Sequence, residues 1–183
     1  CQGLWIGRNK NKVTGPLKFN WTGRKIHTLG ITFRNDGKDD INTNWNRCTE
    51  NIDATIKRWL KHNLSLKGKI TVANSLILSK LWHTAQIIPL PNKKQLDITL
   101  KPIYKFINNN AKIHISKAQL HQKISQGGQN LIDVTAKAQT LQTKWTIKLL
   151  THTNPMPWTD TAIYFLNRYR TAKQSIHTFH TLI

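Results

Sequence analysis

Five cations between residues 58 and 80 are the first residues that could do chemistry: Arg58, Lys61, Lys67, Lys69 and Lys80. Lysine and arginine at this density suit the phosphate backbone of a nucleic acid. Lys69 and Lys80 are eleven residues apart, three turns of an unbroken helix, so they are expected to project from nearly the same angle. The acids offer less. Asp36, Asp39 and Asp40 cluster in a Gly-containing turn with no strand-borne partner. They read as the start of a helix, where negative charge is favoured, rather than as a metal site. His177 and His180 are three apart but have no acid or cysteine beside them. Cys1 and Cys48 make neither a disulfide framework nor a zinc site. The carboxylates are too few to converge on two metal ions. No Gly-rich phosphate loop and no serine elbow occurs. The expected catalytic and metal-ligand sets are therefore both empty.

The wider charge balance points the same way. The chain has 183 residues, 28 Lys plus Arg and 8 Asp plus Glu, for a formal charge of +20. Nine of the basic residues precede Ala54 and nineteen follow it, against only three later acids: Asp97, Asp133 and Asp160. Self-repulsion of this size is costly without a polyanionic partner. A lysine-rich soluble surface, or AT-rich coding bias, is the bland explanation. No apolar run approaches the roughly 20 residues that span a bilayer, so no membrane is expected. Two cysteines fit a reducing, intracellular compartment. The chain opens on Cys rather than Met and reads as a piece of something longer.

Hydrophobic spacing supplies the elements that would position these cations. Gly3–Gly7 and residues 25–33 read as two antiparallel strands joined by a basic loop, with a bulge or close backbone approach at Gly30. A lone hairpin is marginal, so these strands should edge a larger sheet. From Ile41 the period turns helical: Ile41, Trp45, Cys48, Ile52, Ile56 and Trp59 form one stripe. Asn63 and Ser65 break and recap the chain. A second helix is expected from about Leu66 to Gln86, on Leu66, Ile70, Ala73, Ile77 and Leu81. Pro89-Leu90-Pro91 is a corner. A third helix runs from about Lys93 to Asn109, kinked or restarted at Pro102. After Gly127-Gly128 a fourth helix carries Val134, Ala138, Leu141, Trp145 and Leu149. A last one runs roughly from Asp160 to Lys173. The fold class expected is mainly α: a short N-terminal antiparallel hairpin, a helical bundle and further helices.

Four passages resemble the C-terminal part of the reverse transcriptase of non-LTR (LINE-type) retrotransposons. Gly3-Leu-Trp-Ile-Gly7 is similar to the strand that follows the catalytic palm motifs. His27-Thr-Leu-Gly-Ile-Thr-Phe33 resembles the "YLGI" strand of the primer grip. Asn63-Leu-Ser-Leu-Lys-Gly-Lys69 with Val72-Ala-Asn-Ser-Leu-Ile-Leu-Ser-Lys-Leu-Trp82 resembles the thumb segment "LSLxGKxxVxNSxxLSKLWY". Gly127-Gly-Gln-Asn-Leu-Ile-Asp133, with Lys137, Ala138, Leu141, Lys144 and Trp145, resembles "GGLGLxDxxxxNxALxxKW". Three positions depart from the pattern: His27 or Thr28 stands for Tyr, Asn109 or Asn110 for Trp, and Pro102 is additional.

The resemblance implies a palm edge at 1–35, a helical thumb at 36–110, a post-thumb segment at 111–154 and a C-terminal helix and tail at 155–183. It implies that Leu29 and Gly30 approach a primer end, and that Lys67, Lys69 and Lys80 lie by duplex phosphates. The partner would be an RNA/DNA hybrid, together with the parent's palm and fingers. The family binds Mg through a Tyr-Ala-Asp-Asp signature that this sequence lacks, so no cofactor is expected here and the chain alone is expected to be inactive. Cytoplasm and nucleus are the implied compartments. Two other readings compete: a freestanding, sequence-nonspecific basic nucleic-acid-binding module, and an assembly protein with a basic surface.

Overall fold

A computed structural model describes residues 2–15, 17–35, 40–109, 115–151 and 157–172. Asp36, Asp39, His177 and His180 lie outside them. The architecture is mainly helical with two short strand pairs. The chain forms two compact units, Cys1–Ile132 and Asp133–Ile183. No helix among the described residues is long and apolar enough to cross a membrane.

The strands differ from the expected hairpin. β1 (Gln2–Leu4) pairs in parallel with β2 (Asn20–Thr22), which lies inside the presumed basic loop. β3 (Lys25–Thr28) and β4 (Ile31–Arg34) pair antiparallel, with Thr28 opposite Ile31. One apparent strand, 25–33, is thus itself a hairpin with a two-residue turn. Leu29 and Gly30 both have positive φ, 48° and 79°, as a type I′ turn requires. A Cβ on Gly30 would meet nothing of the chain within 4 Å, so within the fold the glycine answers to the positive φ of the turn and not to a crowding neighbour. Trp21 stacks on Trp5 with ring centroids 4.8 Å apart and closes the other strand pair.

The first helix, α1 (Asp40–Trp59), buries Trp45, Cys48, Ile52 and Ile56, the stripe read from the sequence. Each large side chain buried contributes about 1.5–3 kcal/mol. The Trp45 indole N–H donates to the Pro89 carbonyl at 2.9 Å, which fastens the proline corner. The expected second helix is interrupted. α2 (Leu66–Val72) and α3 (Ser79–Ile87) are joined by a π turn, Ala73–Ile77, where the Leu78 N–H reaches back to the Ala73 carbonyl at 2.8 Å. Ser65 starts α2 by accepting the Gly68 N–H at 3.2 Å.

The next helix, α4 (Lys93–Ile107), starts at Asn92, whose side chain accepts the Gln95 N–H. It continues through Pro102 and does not restart there. It lies against α1 along a polar seam, with the Thr49 and Thr99 hydroxyls 2.8 Å apart and Gln95 donating to Asn46 at 2.7 Å. Ile103, Phe106 and Ile107 are buried. A short α5 (Lys117–His121) follows, then a close return at Gly128, where a Cβ would collide with the Gln122 carbonyl. In the second unit, α6 (Val134–Thr151) buries Val134, Ala138 and Leu149, while α7 (Pro157–Ala172) begins earlier than expected. Trp145, expected on the buried stripe, is exposed and meets Trp158 edge-on at 5.9 Å.

Candidate nucleic-acid interface

The β3–β4 turn is held out on the helices by two side chains. The His83 Nε2–H donates to the Leu29 carbonyl at 2.7 Å. Arg47 Nη1 donates to the Gly30 carbonyl at 3.3 Å and lies 3.0 Å from His27 Nε2. Arginine is always a donor, so His27 accepts there and its Nδ1–H faces Thr32 Oγ1, 3.1 Å away. The Leu29 side chain stays 85% exposed. The tip is thus a presented, pinned feature.

Three cationic clefts occur among the described residues of the same unit, and the first adjoins the tip. It is lined by Gln2, Lys25, His27, Thr32 and Arg47. A second is lined by Lys10, Asn11, Val13, Gly23, Arg24, Arg34 and Asn35. A third, at the end of α1, brings Lys61, His62 and Lys69 together with Phe106 and Asn109. None of these linings contains a carboxylate. Concave basic surfaces of this sort raise the local concentration of polyanions.

The five expected cations separate into two kinds. Arg58, Lys61, Lys67 and Lys80 are exposed. Lys69 is 8% exposed; its Nζ donates to Asn109 Oδ1 at 3.1 Å and lies 5.8 Å from the centre of the Phe106 ring. It ties α2 to the end of α4. Lys69 and Lys80 do not share a face as an unbroken helix would require. The π turn between them inserts about one extra residue, which rotates everything beyond it by roughly 100°. Of the five, Lys61 and Lys69 line one cleft among the described residues.

Sequence reasoning missed Arg47 and His83. Arg47 sits on the face of α1 opposite its apolar stripe and His83 one turn after Lys80. Only the folded hairpin gives either a role. No group of three or more metal-ligating side chains occurs among the described residues. No known family's model matches the chain.

Proposed function

We propose that this chain is the thumb-side part of a non-LTR retrotransposon reverse transcriptase, and that it grips an RNA/DNA hybrid by its backbone. The observation that carries the reading is the pinned, exposed Leu29–Gly30 tip, set beside a basic cleft without carboxylates. The thumb-like passage Asn63–Trp82 and the primer-grip-like passage His27–Phe33 support it. Leu29 and Gly30 would face the primer end. Arg58, Lys61, Lys67 and Lys80 would lie along the phosphates, with Lys69 holding the helices that carry them. A-form duplexes are recognised by shape and backbone, so little sequence preference is expected. The palm aspartates that bind Mg have no counterpart in this sequence, so no catalytic step is assigned to it. The parent would work in the cytoplasm and nucleus.

The test is binding of the chain to an RNA/DNA hybrid over several salt concentrations, beside single-stranded RNA and duplex DNA. A steep salt slope with hybrid preference is the expected result. Equal binding to all three would reduce the chain to a freestanding basic module. Binding that ignores salt would remove the nucleic acid altogether.

A further inference from the structure

Among the basic side chains, Arg47 stands out for how its donors are used. A guanidinium has five N–H groups in a fixed plane and no acceptor. Both hydrogens of Nη1 have acceptors in the protein, His27 Nε2 at 3.0 Å and the Gly30 carbonyl at 3.3 Å. Those two bonds come from two different positions of the β3–β4 hairpin, so they fix the guanidinium plane. The other edge, Nε–H and Nη2–H, donates to no acceptor among the described residues, and no carboxylate pairs with Arg47 there. That edge carries the two parallel N–H bonds that match two oxygens of one phosphate. Lys25, Gln2 and the Thr32 hydroxyl line the same cleft and bring further donors.

We propose that this cleft is a seat for one phosphodiester group of a nucleic-acid strand, with Arg47 as its bidentate fork and Lys25 as a second, single-point contact. The proposal rests on the nucleic-acid reading above and deepens it. It places one specific phosphate beside the Leu29–Gly30 tip, held by a residue outside the lysine-rich segment. A lysine at position 47 would keep the charge but neither bond the hairpin twice nor offer a fork. The fork, and not the net charge, should therefore decide affinity. Because the fork is fixed before binding, little side-chain freedom is lost when the phosphate arrives.

The experiment is a titration of the full chain with a dithymidine phosphodiester and, separately, with inorganic phosphate, at constant ionic strength. The readouts are the nuclear magnetic resonance shifts of the His27 ring and the Thr32 amide. Saturable shifts with the diester are expected, weakened at least tenfold by Arg47→Lys and less by Lys25→Gln. Arg47 is exposed, so its replacement leaves the core intact; unchanged amide spectra elsewhere check this. Equal affinity in Arg47→Lys would overturn the fork. Saturation by inorganic phosphate alone would overturn the diester in favour of a small free anion, and no saturation with either would remove the seat. Diester binding by a chain that ignores the hybrid would keep the seat and sink the thumb reading. Salt-sensitive hybrid binding with no diester shift would do the reverse.

Discussion

Asn44 holds Thr32 by both ends of its side-chain amide. Its Oδ1 accepts the Thr32 N–H at 2.9 Å, and its Nδ2 donates to the Thr32 carbonyl at 2.9 Å. A buried side chain thus pairs with β4 as a neighbouring strand would, and joins the hairpin to α1. Asn44→Ala leaves a half-buried N–H and a half-buried carbonyl of Thr32 without these partners. It should cost about 1–3 kcal/mol for each group left unsatisfied. Denaturant unfolding measures the loss, and hydrogen exchange at Thr32 shows whether the hairpin detaches first. Exchange no faster than in the parent would show that the strand does not depend on this amide.

Leu29 occupies a left-handed position that a branched side chain resists, at about 1–2 kcal/mol. Its side chain is solvent-exposed and packs against little. Leu29→Asn, a residue suited to the first position of this turn, should raise stability by about 0.5–1 kcal/mol. If the tip meets a primer, the same variant should bind hybrid more weakly. Stability and affinity would then move in opposite directions. A variant that is both more stable and equally tight would leave Leu29 without a functional reason for its strain.

Lys69 and Lys80 should respond differently to the same substitution. Lys80→Ala removes an exposed cation and should lower the salt slope of hybrid binding by about one. Lys69→Ala removes the bond to Asn109 and the contact with Phe106. It should destabilise by about 1.5–3 kcal/mol, the range for a hydrogen bond to a charged group. Paired melting and salt titrations separate the two effects. Equal slopes and equal stabilities for both variants would contradict the rotation introduced by the π turn.

Asn74 sits in that π turn and reaches the irregular segment 130–132 of the same unit. Its Nδ2 donates to the Asn130 carbonyl at 3.0 Å, and its Oδ1 accepts the Ile132 N–H at 3.0 Å. Asn74→Ala should accelerate exchange at the Ile132 amide and lower stability by about 1–3 kcal/mol. Slow exchange at Ile132 in the variant would mean that the segment is held by its own contacts.

Cys48 gives a pH prediction. Burial pushes its thiol above the ordinary value, partly offset by the bond to Thr84 Oγ1 at 3.2 Å and by the charge of Arg47. The folded state therefore favours the neutral thiol. Its contribution is full below the unfolded-chain value of about 8.5 and is lost as pH rises through the higher folded value. Between about pH 7 and pH 9.5 the parent should lose more stability than Cys48→Ala. Lysines and tyrosines titrate in both proteins, so the difference between them is the readout. Identical losses would assign no linkage to this thiol.

The helical stripes were legible because α1 and α4 are amphipathic over many turns. Trp45, Ile52, Ile103 and Ile107 are buried where their spacing placed them. The π turn was not legible, since Ile70, Ala73, Ile77 and Leu81 step by three and four in either kind of helix. The hairpin was misread for a related reason. Leu29 is a poor turn former, so residues 25–33 looked like one continuous strand. β2 was hidden because three residues carry no alternation. At the candidate interface the exposed cations could be named from composition, whereas Arg47 and His83 could not. Their roles arise from carbonyls of a turn far away in sequence.

The hydroxyl pair Thr49–Thr99 has a mechanical consequence. An apolar seam tolerates some creep of one helix past its neighbour, because one methyl group serves nearly as well as another. A slip of α4 by one turn, about 5.4 Å, would part the two hydroxyls, leaving each only the carbonyl of its own helix at Trp45 or Gln95, and would part Gln95 from Asn46. The two rods are therefore indexed like teeth on a rack. Sliding of α1 along α4 must first break two cross-helix hydrogen bonds.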